Sequence, residues 1–175
     1  LIYLFVTEPP LYFPEWFGLD EQYGFIFAHN VFTVQFMWDR LPLYIIAIYP
    51  ALSQLVYEVV RVMGVFKHRG ALVGSLMVAF VCQVFYEIFD QLGPQLKWWG
   101  WNDANTEVNH PALASVPMNS MLLFASVSFG VMTFLAVKLA GSREAGGGPR
   151  RGWSLIWRIA LAGVLTPPSM ALFGI

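Results

Sequence analysis

Apolar residues run along this chain in long blocks, separated by short segments rich in charge, proline and glycine. Four blocks, 41–66, 71–92, 116–139 and 153–175, reach the roughly 20 residues that a helix needs to cross a hydrocarbon core of about 30 Å. The third contains the stretch MLLFASVSFGVMTFLAV, which has no charge at all. A helix of a soluble bundle would carry a polar stripe there. The segment 1–6, LIYLFV, reads as the last turns of a fifth helix, and the chain also stops inside an apolar run, so it reads as part of a longer protein. The expected fold is therefore all-α: one membrane domain over 1–175, a polytopic transmembrane helical bundle with four full spans and the end of a fifth.

The segments between the blocks are unusual in their aromatics. Residues 7–40 hold Tyr12, Phe13, Trp16, Phe17, Tyr23, Phe25, Phe27, Phe32, Phe36 and Trp38. This stretch is too interrupted to span and too apolar to be a free loop, which suits it to the headgroup level. The segment after the second span repeats the chemistry with Trp98, Trp99 and Trp101. Both fall on one side of the membrane, so they are expected to form an aromatic outer cap. Trp16, Trp38, Trp98, Trp99 and Trp101 are its candidate contacts with lipid or a partner subunit.

Charge orients the bundle. Arg61, Lys67, Arg69, Lys138, Arg143, Arg150, Arg151 and Arg158 gather toward one side, leaving Arg40 and Lys97 on the other. The positive-inside rule makes the loops 64–70 and 142–152 cytoplasmic, in a bacterial inner (plasma) membrane. The second of these is expected to be a flexible glycine-rich joint. Thr166-Pro167-Pro168 should kink the last helix, because each proline removes a backbone donor.

Ionisable residues inside spans are costly and so are candidates for function. A short internal similarity aligns SQLVYEVVRVMG (53–64) with CQVFYEIFDQLG (82–93), sharing a Q-x-x-Y-E frame. In the first copy Glu58 and Arg61 stand at i,i+3, the spacing of a structural ion pair. In the second, Gln83, Glu87 and Asp90 (or Gln91) share a helical face without a cation. That acidic face needs water, Lys97, His110 or a neighbouring chain, and Glu87 and Asp90 are the candidate catalytic residues. His29 and His110 read as surface loop residues. Asn119 reads as a helix cap, and Ser120, Ser126, Ser128 and Gly130 as small-residue helix contacts.

Composition removes several function classes. Cys82 is the single cysteine, so no intrachain disulfide forms. No Cys/His spacing suits a metal, no cofactor motif is present, and no basic-aromatic patch points to nucleic acid. With 12% charged and 57% hydrophobic residues, the chain departs from soluble composition.

The stretch Tyr86-Glu87, followed by Trp99-Gly100-Trp101 and then Ser115-Val116-Pro117, resembles the integral membrane carotenoid-biosynthesis hydratases. More faintly, the chain resembles the spirocyclase family of polyketide maturation. Either resemblance implies acid-assisted chemistry on a long apolar substrate, with Glu87 and Asp90 placed to donate protons. Two functions are expected from these readings. One is an accessory or scaffold subunit of a larger bacterial membrane complex, handling or transporting lipid, with membrane lipids and that complex as partners. The alternative is a small membrane-embedded hydratase or cyclase acting on an isoprenoid or another long apolar lipid.

Overall fold

The computed structural model describes residues 1–141 and 150–174, which form a mostly helical bundle. Its helices are α1 (Ile2–Tyr12), α2 (Asp20–Tyr23), α3 (Leu43–Val62), α4 (Val65–Gln95), α5 (Thr106–Asn109), α6 (Ser120–Ala140) and α7 (Trp153–Gly174). Short strands join them: β1 (Phe27–His29), β2 (Gln35–Phe36), β3 (Leu41–Pro42), β4 (Trp99–Trp101), β5 (Ala112–Leu113) and β6 (Val116–Pro117). Among the described residues, α3, α4 and α6 are long and apolar enough to cross a membrane.

Helix α4 shows how the bundle is built. Leu72, Leu76, Phe80, Val84, Ile88 and Leu92 recur every fourth residue and are all exposed. In a membrane that stripe meets lipid. The opposite seam, through Ser75, Val78, Cys82, Tyr86, Asp90 and Gly93, is buried. Gly130 of α6 lies so close to Ala79 and to the Ser75 carbonyl that a side chain there would displace them. Small residues thus let α4 and α6 approach, as expected for helices in lipid. The hydroxyls of α6 do more than pack: Ser126 bonds Gln83, and Ser128 turns back to its own Phe124 carbonyl.

α3 and α4 form a hairpin whose turn contains Gly64, and Gly64 and Gly70 are both at positive φ. The expected loop 64–70 is thus mostly helical: the turn lies at Met63 and Gly64, and Gly70 breaks the first part of α4. α1 continues well past residue 6, to Tyr12, through Pro9 and Pro10, and packs against α7. α7 likewise continues through Pro167 and Pro168. Of the expected joint 142–152, residues 142–149 with Arg143 lie outside the described residues.

The segments expected to form a cap do meet. β1 and β4 pair antiparallel, setting Phe27 opposite Trp101, Ala28 opposite Gly100 and His29 opposite Trp99. Asn102, Asn105 and Asn109 bond the carbonyls of Tyr23, Phe25 and Ile26, which stitches the same two segments together. Asn119 is not a side-chain cap; its amide reaches the Val108 carbonyl.

Candidate functional site

Beneath the cap, α1, α3 and α4 bring together acids and tyrosines from distant parts of the chain. Glu8 is 4% exposed and accepts a hydrogen bond from the Tyr49 hydroxyl. Tyr12 stands one helical turn beyond Glu8 on α1 and is buried with it. Asp90 is 3% exposed and accepts from Ser120 at 2.7 Å. Tyr86 stands one helical turn before Asp90 on α4 and is buried as well. Rings bind the group together: Tyr3 lies 5.5 Å from Tyr49, while Phe129 touches Tyr3, Tyr49 and Tyr86. Among the described residues, neither Glu8 nor Asp90 pairs with a lysine or arginine.

His29 joins this cluster from above, and the expectation of a surface histidine fails. β1 pairing turns its ring inward, against Tyr12, Phe27, Tyr44 and Trp99. Its Nε2 stands 2.8 Å from the Tyr12 hydroxyl and its Nδ1 2.6 Å from the Tyr44 hydroxyl. Tyr44 in turn donates to the Trp98 carbonyl at 3.2 Å. Burial pushes the His29 imidazole down to about 4, so it is neutral at physiological pH. His110, by contrast, is exposed.

The acidic face of α4 divides. Asp90 points into the bundle, whereas Glu87 lies half-buried at the edge of that face, held by the Gln83 and Gln91 amides. Neither Lys97 nor His110 meets them; serine hydroxyls and glutamine amides do. Glu58 has the same local geometry, with Gln54 donating at 3.1 Å, and adds Arg61 at 2.7 Å. Trp99, expected at the lipid surface, is 7% exposed and lies on Gly93 and Phe89. Trp98 and Trp101 are half-buried, while Trp16 and Trp38 pack edge to face and stay exposed.

Two openings lead toward the cluster. A cavity of about 470 Å³ in the cap reaches Tyr12 and His29, with Glu15, Asp20, Asp39 and Arg40 also on its wall. Arg40 is held there by Glu15 and the Tyr12 carbonyl. At the other end, a groove of about 1350 Å³ is lined by residues of α1, α3, α4, α6 and α7, with Tyr3 on its wall. No group of metal-binding side chains occurs among the described residues.

No family model matches the chain, and neither a curated protein nor a solved structure is similar to it. Glu8, Tyr12, His29, Tyr44 and Tyr49 are absent from the sequence-based candidates because their partners lie far apart in the chain. The available signal was Glu8 itself, an acid two positions after the apolar run 1–6.

Proposed function

We propose that this chain is a membrane-embedded enzyme of hydratase or cyclase type, doing acid–base chemistry on a long apolar lipid. The observation that carries this is the pair of buried carboxyls, Glu8 and Asp90, set among Tyr12, Tyr49 and Tyr86 with no cation beside them. Intramembrane acids are retained where they act. A groove with Tyr3 on its wall is large enough to take an apolar chain. Glu8 and Asp90 then exchange protons with the substrate, and the tyrosine hydroxyls hold its polar end. Glu87, amide-bonded at the edge of the face, supports α4.

The topology that accompanies this reading has four full spans, with α7 as the fourth, and the end of a fifth in α1. The loop 64–70 faces the cytoplasm of a bacterial inner membrane. Its cations, Lys67 and Arg69, support that direction.

Lipid extracts of cells carrying Glu8→Gln or Asp90→Asn test the proposal. Each variant should accumulate the same precursor as a deletion strain, with turnover down by about a hundredfold or more, at unchanged protein level and melting temperature. Wild-type lipid profiles from both variants would sink it.

One observation favours a second reading, the accessory subunit of a lipid-handling complex. Trp38 stands 74% exposed at the tip of the cap beside Trp16, an aromatic surface fit for a partner. Loss of a co-purifying subunit in Trp38→Ala, with lipids unchanged in every variant, would select it.

A further inference from the structure

Glu8 is sealed from solvent, yet a proton donor must be recharged after each use. The inference below deepens the enzyme reading and takes its acid from it. Four polar groups lead from Glu8 to the cap: the Tyr12 hydroxyl, the two nitrogens of His29, and the Tyr44 hydroxyl, which ends on the Trp98 carbonyl. Tyr12 stands one helical turn from Glu8, every step from its hydroxyl onward is a hydrogen bond, and His29 is the link that both accepts and donates. We infer that Glu8, Tyr12, His29 and Tyr44 form a proton wire through which the buried carboxyl exchanges its proton with water on the cap side.

Donor counting gives the wire two complete arrangements. With Glu8 protonated, its O–H donates to Tyr12, Tyr12 donates to Nε2, Nδ1–H donates to Tyr44, and Tyr44 donates to the Trp98 carbonyl. With Glu8 ionised, the links among Glu8, Tyr12, His29 and Tyr44 reverse and the Trp98 carbonyl gives up its donor: Tyr44 donates to Nδ1, Nε2–H donates to Tyr12, and Tyr12 donates to the carboxylate. A neutral imidazole carries one N–H, so the two arrangements are its two tautomers. Passing from the second to the first takes one proton from water at the Tyr44 oxygen. Tyr44 releases its own proton to Nδ1, Nε2 releases one to Tyr12, and Tyr12 releases one to Glu8. One N–H forms and one breaks on His29, each tyrosine ends with one O–H, and Glu8 gains one. Tyr49 bonds Glu8 without belonging to the chain, since its hydroxyl leads back into the core.

The wire is tested without substrate, by infrared spectroscopy of the protein in lipid nanodiscs. The protonated-carboxyl stretching band that Glu8→Gln removes is followed after a jump into D2O. Tyr12→Phe and His29→Gln should slow its exchange by about tenfold or more, because the carboxyl then exchanges only through transient opening of the packing. Tyr49→Phe should leave the rate as in the wild type. Should His29→Gln fail to fold, Tyr44→Phe breaks the cap end of the same chain and should slow exchange equally. Unchanged rates in the wire variants, equal slowing by Tyr49→Phe, or no Glu8 band at any pH where the protein is folded would overturn the inference. Slowed exchange together with lipid profiles indifferent to Glu8 would keep the wire and remove the enzyme.

Discussion

His29 owes its neutrality to partial burial among the rings of Tyr12, Phe27, Tyr44 and Trp99. Glu15, Asp20, Asp39 and Arg40 share its cavity wall, but burial decides the outcome. The unfolded chain binds a proton there near 6.5 and the folded chain only near 4. Between those values the unfolded state holds more protons, so stability falls as pH drops from 6.5 toward 4. The loss is no more than about 3 kcal/mol. Melting temperature should therefore decline more steeply over that window in the wild type than in His29→Gln; parallel curves would show a hydrated imidazole. None of this was legible at position 29. Its partners lie 17 and 15 positions away, and Glu8 finds Tyr49 at a separation of 41. Local spacing, by contrast, suffices for Glu58 and Arg61, which one helical turn brings into contact.

Helix α4 was readable from its apolar block because its length and composition are set locally, and its exposed stripe follows from helical period alone. What meets its inward seam was not readable, since those partners lie far along the chain. Small residues settle it, through Gly130 against Ala79 and Gly93 against Trp99. Gly93 has a direct consequence. A methyl group there would collide with the Trp99 indole, the residue that seats the cap on the bundle. Gly93→Ala should cost about 1–3 kcal/mol, as overpacking does, and shift the tryptophan emission. Gly100→Ala on the neighbouring strand meets nothing within 4 Å and should be neutral in both measurements. A neutral Gly93→Ala would mean that Trp99 is not seated as described.

Across the whole molecule, the charge asymmetry makes a prediction about sidedness. In a Cys82→Ser background, a cysteine at Arg69 should be labelled by an impermeant reagent only from the cytoplasmic side, and one at Asp103 only from the other. Both positions are exposed in the structure. Labelling of both from the same side would refute the hairpin crossing of α3 and α4. The pairing of β1 with β4, which links residues 27–29 to residues 99–101, also fixes a time as well as a place. During synthesis β1 emerges first, and both α3 and α4 must follow before its partner exists. Until then His29 has Tyr12 and Tyr44 within reach along the chain but no strand to hold it inward. A nascent chain stalled short of residue 101 would thus carry every acid and tyrosine of the cluster, with the histidine link still waiting for its strand.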